Sequence, residues 1–123
     1  MDKKAIPDAV VEFMQESEFL HSQMSISMPD YQAAVTRLLD LANNDFGGSS
    51  AAAQVLLSCY DGGSWHLNVM DLGSLDLLHI QDAFLVMRGW LFLRERPDEV
   101  VEGGDSIFRN LAERWDFLRV ENR

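Results

Sequence analysis

Leu75-Asp76-Leu77-Leu78-His79-Ile80-Gln81-Asp82-Ala83-Phe84-Leu85-Val86-Met87-Arg88-Gly89-Trp90-Leu91-Phe92-Leu93-Arg94 is the longest helical pattern in the chain, and Pro97 closes it. Ser74 or Asp71 supplies its start. The first half carries His79, Gln81 and Asp82, while the second is apolar almost all round and broken only by Arg88 and Gly89. A helix with so little wet surface is expected at the centre of the fold, touched on several sides. Gly89, beside Trp90, leaves room for another helix to approach closely.

Outward from this stretch the chain alternates helical periods with turn signals. Downstream, residues 98–104 form a polar connection with room for one helical turn. Asp105 or Ser106 then caps a last helix carrying Ile107, Phe108, Leu111, Trp115 and Leu118. Arg109–Glu113 and Asp116–Arg119 have the spacing of exposed ion pairs. Upstream, Trp65-His66-Leu67-Asn68-Val69 alternates apolar with polar residues and reads as a short extended piece, preceded by the turn Asp61-Gly62-Gly63-Ser64. A helix over Ala51–Tyr60, capped by Ser49 or Ser50, has Ala52, Val55, Leu56, Cys59 and Tyr60 on its apolar face. Before it, Pro29-Asp30 opens a helix in which Tyr31, Val35, Leu38 and Ala42 recur. The first helix spans about Pro7 to Gln23, with Ile6, Val10, Phe13 and Leu20 at helical spacing. The expected fold is all-α: a compact array of about five helices with one strand-like segment near 65–69, in a single domain of residues 1–123.

Composition narrows the function classes. With 47% hydrophobic residues, seven Phe, three Trp and six Met, the chain has enough apolar volume for a core without a cofactor to staple it. No run reaches the roughly 18–20 apolar residues of a membrane span, and Met1-Asp2-Lys3-Lys4 does not begin a signal peptide. The single Cys59 has no intrachain partner, so a reducing cytoplasm is the expected location. Twenty acids against ten basic residues give a net charge of −10, which disfavours direct binding to nucleic acid or anionic membranes. Residues 1–30 hold six acids and two lysines, and residues 61–87 hold four aspartates with no Lys or Arg.

Each candidate constellation has a plainer reading beside it. Asp76, His79 and Asp82 stand three apart, with His66 and Asp71 upstream, but positions six apart on a helix lie about 120° apart around its axis, so the three fan out. Acids at a helix start also suit its dipole. Cys59 with His66 or His79 would make a nucleophile–base pair, yet Cys59 falls on an apolar helix face where free cysteine acts as a small hydrophobe. Gly47-Gly48-Ser49-Ser50 precedes a helix without the lysine of a phosphate loop. Trp65, in its glycine-flanked loop, serves either as an interface anchor or as a lid over the core, the commoner role.

The order of pieces from Leu38 to Asp76 resembles a family of uncharacterised short proteins from proteobacterial chromosomes, plasmids and integrative elements. The pieces are Leu38-Leu39-Asp40-Leu41-Ala42, Asp45-Phe46-Gly47-Gly48-Ser49, Val55-Leu56-Leu57-Ser58-Cys59-Tyr60, Gly62-Gly63, Asp71-Leu72 and Leu75-Asp76. The family is a domain of unknown function and brings no activity or site residues. The resemblance implies an accessory role on mobile DNA and makes residues 1–28 an added N-terminal element on a 29–123 core.

These readings favour a non-enzymatic protein that binds another protein, basic in character, and requires no cofactor. Its candidate surface is the acidic stretch 61–82, with Trp65, His66, Asp71, Asp76, His79 and Asp82; a homodimer is also open. One alternative is an acidic mimic of DNA that blocks a DNA-binding protein. Another is a small metal-dependent protein using His66, Asp71, Asp76 and His79.

Overall fold

The computed structural model describes residues 6–123. Five α-helices follow in order: α1 (Asp8–Met24), α2 (Met28–Ala42), α3 (Ser49–Tyr60), α4 (Leu77–Arg88) and α5 (Gly104–Arg114). Short 3₁₀ stretches connect or follow them at Val69–Ser74, Pro97–Glu99, Asp116–Leu118 and Val120–Asn122. The all-α expectation holds. Residues 65–68 are the non-helical piece, extended at Asn68, and no strand occurs among the described residues to pair with them; Val69 already belongs to a 3₁₀ turn. The Asn68 N–H is satisfied by the Gln54 side chain instead, at 3.0 Å.

Local chemistry sets the helix ends. Ser27 caps α2 by accepting the Asp30 N–H, with Pro29 in the first turn. Ser49 does not cap α3 as expected; it lies inside the helix, and its hydroxyl reaches back to accept the Phe46 N–H at 2.9 Å. Asp76, rather than Asp71 or Ser74, caps α4 by accepting the His79 N–H at 2.9 Å. The last helix starts at Gly104, ahead of Asp105 and Ser106, after Gly103 turns through φ +69°. It ends at Arg114, four residues before Leu118, where the Trp115 indole donates to the Ala42 carbonyl at 3.0 Å. Arg109 pairs backwards with Asp105 instead of forwards with Glu113, while Asp116–Arg119 forms as expected at 2.8 Å.

The central helix is α3, not the 75–94 stretch. Ser49 and the run from Ala51 to Leu57 are buried, and α2, α4 and α5 all pack on α3. Three successive alanines let these neighbours approach, and Val55, Leu56 and Leu57 fill the space between them. The 75–94 stretch divides its apolar residues between two sides. Ala83, Val86 and Gly89 face inward, while Leu77, Phe84 and Leu91 remain exposed.

Tyr31 meets Gly89 and Arg37 meets Asp82, so residue numbers run in opposite directions and α2 and α4 are antiparallel. The close approach expected at Gly89 is made by the fully buried Tyr31 ring, whose hydroxyl donates to the Glu95 carbonyl at 2.6 Å. Beyond that contact the helix widens into a π-turn, Gly89–Leu93, and Arg94 closes it in the left-handed region at φ 58°. A Cβ on residue 89 would penetrate the Tyr31 ring. Gly89→Ala is therefore expected to cost about 2–3 kcal/mol by overpacking, against the usual gain from glycine replacement in a helix. Urea unfolding of the two proteins measures the difference.

The first helix behaves differently from the rest. None of its residues is buried. Its firm tie to the body is near its end, where the His21 ring meets Phe92 edge-on at 5.3 Å.

Candidate functional site

The residues expected on the 61–82 surface do not form one surface. Trp65 is 1% exposed and Asp82 is fully buried, which removes both from contact with any partner. The Asp61 N–H to Leu57 carbonyl bond ends α3, and a tight turn back to Asp61 carries the chain round to Trp65. The indole then enters the core, so the lid reading is correct and the interface-anchor reading is not. The Arg119 guanidinium lies 4.4 Å from the centre of its ring, and the Val120 N–H donates to Ser64 O at 2.8 Å. The lid is thus fastened by the last turns of the chain.

Asp82 is buried with its charge met from one side by a partner that itself stays open to water. Arg37, from α2, grips both carboxylate oxygens through Nε and Nη2, at 2.8–3.0 Å. That hydrogen bonding raises the guanidinium pKa above its ordinary value. Asp71 accepts from buried Gln54 at 2.8 Å, and the other end of the same amide holds Asn68. Gln54 therefore pins the loop from both sides. The sequence reading missed it, since a single polar residue among apolar neighbours looks like an exposed position.

Asp76 and His79 are the one pair of candidates brought together. The His79 N–H, and then the His79 ring at 2.9 Å, hold the Asp76 carboxyl below the usual carboxylate range. His66 is exposed and Asp71 belongs to the Gln54 contact, so the four residues of the metal reading do not converge. Among the described residues no three His, Cys, Asp or Glu side chains are placed to hold a metal ion. The acids of 61–82 are likewise committed singly: Asp61 holds Gly63, Asp71 holds Gln54, Asp76 caps α4 and Asp82 holds Arg37.

Cys59 is half-buried against the core, and burial pushes its thiol up to about 11. From a reference of 9.0 this leaves about a hundredfold less thiolate at pH 8 than an open cysteine has. Alkylation by iodoacetamide at pH 8 is expected to be slower by about that factor until urea unfolds the chain. Alkylation at the rate of free cysteine would contradict the burial.

The outer face of α4 was not singled out by the sequence reading. Leu77, Phe84 and Leu91 recur at seven-residue intervals and are 85%, 50% and 53% exposed. Ile80, Gln81, Leu85 and Arg88 complete a shallow groove with Leu77 and Phe84, about 380 Å³ in volume. Arg88 and the neighbouring Arg94, which lies 6.0 Å from the Trp90 ring centre, have no carboxylate partner among the described residues.

Residues 32–116 match the profile of a group described as "Family of unknown function (DUF7673)". The chain belongs to this family. The DUF7673 match takes in α2 from its second turn, all of α3 to α5, the Trp65 lid, the Arg37–Asp82 pair and the α4 face, while α1, the start of α2 with Tyr31, and residues 117–123 lie outside it. The pieces from Leu38 to Asp76 that carry the sequence resemblance all fall within the matched residues. No curated protein and no solved structure matches the chain. No helix among the described residues is long and apolar enough to cross a membrane.

Proposed function

We propose that this protein acts by binding other proteins, not by catalysis, and that the docking surface is the outer face of α4. The observation that carries this reading is the row Leu77, Phe84 and Leu91 left open beside Arg88, which has no carboxylate partner among the described residues. A small domain gains by burying such a row, and apolar side chains lined up in water are the usual mark of a contact surface. The spacing suits an apolar helix laid along the groove. Arg88 and Arg94 favour acids on that helix's rim, whereas the net charge of the whole chain favours a basic partner elsewhere.

The chemistry-bearing residues support a scaffold role. Cys59 is held as a thiol, Asp82 and Asp71 are engaged by Arg37 and Gln54, and Asp76 caps a helix. The test is affinity capture from the native host with the wild-type chain, Phe84→Glu, and Met70→Glu as a control at another exposed apolar position. Proteins retained by wild type and Met70→Glu should fall at least tenfold with Phe84→Glu. Equal capture by all three removes the α4 face as the binding surface.

A further inference from the structure

Two apolar seams of this chain match in spacing; that of α1 is exposed along its length, and on α4 Leu77, Phe84 and Leu91 are exposed while Ile80 and Met87 pack partly on the core. On α1, Val10, Phe13, Ser17, Leu20 and Met24 follow one another at intervals of three, four, three and four residues. On α4 and its π-turn, Leu77, Ile80, Phe84, Met87 and Leu91 have the same intervals. Such spacing lines up side chains for knobs-into-holes packing between two helices. The π-turn shifts the phase at its end, yet Leu91 stays on the open side. The two segments Asp8–Met24 and Leu77–Leu93 also have the same number of residues.

Charge selects the occupant. The seam of α1 is flanked by Asp8, Glu12, Glu16 and Glu18, with no Lys or Arg from residue 6 to residue 24, and none of these acids has an ion-pair partner among the described residues. Two copies of α1 side by side would set acids against acids. The α4 face presents Arg88 and Arg94, both unpaired among the described residues, while Arg37, Arg96, Arg109, Arg114 and Arg119 all hold carboxylates. Unmatched acids on one seam and unmatched arginines beside the other are complementary.

We infer that the α4 face takes helix α1 of a second copy of this chain, and the two copies exchange their α1 helices in a two-fold dimer. This rests on the α4 face being a docking surface. Within one chain α1 stands off α4: Phe13 is 69% exposed although His21 roots the helix beside Phe92. The extended Ser25 and the capping Ser27 form the joint, with Ile26 buried as its anchor. The charges require antiparallel docking, which sets the acids at the start of α1 beside Arg88 and Arg94; the middle of one seam then meets the middle of the other, so Ser17, the small residue, faces the Phe84 ring. The two-fold axis repeats the contact, so four helices contribute buried surface toward the roughly 1,200–2,000 Å² of a stable interface.

Light scattering on the full chain at high micromolar concentration should give twice the 14.0 kDa chain mass. Phe13→Glu and Phe84→Glu should each give the monomer with unchanged circular dichroism, and Arg88→Glu should weaken the dimer at least tenfold. In a Cys59→Ala background, mixing Ser17→Cys chains with Phe84→Cys chains under mild oxidation should yield the mixed disulfide. Three results overturn the inference. They are a Ser17→Cys homodisulfide with a dimer insensitive to Phe84→Glu, a disulfide closing within one Ser17→Cys/Phe84→Cys chain of monomeric mass, and a wild-type monomer at all concentrations. If the chain is a monomer but Phe84→Glu still abolishes capture, self-association falls and the α4 docking surface stands. If Phe84→Glu alters neither mass nor capture, both fall.

Discussion

Trp65→Ala is expected to lower stability by about 3–5 kcal/mol, the range for removing a buried indole from a core. For a chain of this size that corresponds to a melting temperature lower by roughly 10–20 °C. Trp65 is the largest of the fully buried side chains, and it closes the end of the core where α3 turns away. Its removal leaves a cavity and also strips Arg119 of the ring on which it lies. The last turns, held to the loop by Val120 and Ser64, should loosen as well. Trp65→Phe separates volume from polarity. The indole Nε1 is buried and has no acceptor among the described residues, so phenylalanine gives up no hydrogen bond there. Phe should therefore cost clearly less than Ala, and most of what it costs is lost packing. Chemical unfolding of the three proteins decides the matter; an alanine variant within 1 kcal/mol of wild type would show that Trp65 does not close the core.

Much of the fold was legible because helical period and turn chemistry agree. Tyr31, Val35, Leu38 and Ala42 mark one buried stripe, and each is buried in α2. The turns at 43–48 and 61–64 fall where α2 and α3 end. What misled the sequence reading was treating hydrophobicity as burial. The 75–94 stretch is the most apolar in the chain, but size decides what a crowded centre accepts. Ala51, Ala52 and Ala53 fit between three helices, and Phe84 and Leu91 are left outside. The same substitution of average for particular hid the site. An exposed Leu77–Phe84–Leu91 row has the same spacing as a buried one, so only coordinates separate them. Asp82 looked like a wet residue because its partner, Arg37, lies on another helix, and no local pattern announces a contact across that distance. Trp65 was the exception. Its lid role followed from what tryptophan commonly does in small proteins, and its burial bears that out.

Arg37→Ala is expected to cost about 3–5 kcal/mol, more than Asp82→Ala, even though the two residues form one pair. The asymmetry comes from where each half lies. The Asp82 side chain is 1% exposed and the Arg37 side chain is 44% exposed. Without Arg37 a carboxylate is left in the core with no counter-charge and no donor for its two oxygens. Without Asp82 the guanidinium turns outward and rehydrates, so the loss is limited to the hydrogen bonds and a small cavity, about 1–3 kcal/mol. Replacing both by apolar residues of similar volume, Arg37→Met with Asp82→Leu, removes the uncompensated charge in either case. The double variant is expected to be near wild-type stability, so the coupling between the two substitutions should be strong. A pair serving only stability would then have no advantage over packing. The ion pair instead fixes the register of α2 against α4, because only one alignment of the two helices brings Arg37 to Asp82 while Tyr31 meets Gly89. That alignment also decides which side of α4 is buried, with Asp82, Ala83 and Val86 turned inward and Leu77 and Phe84 outward. If both single variants lose the same small amount, the carboxylate is not buried as described, and α4 owes its orientation to apolar packing alone.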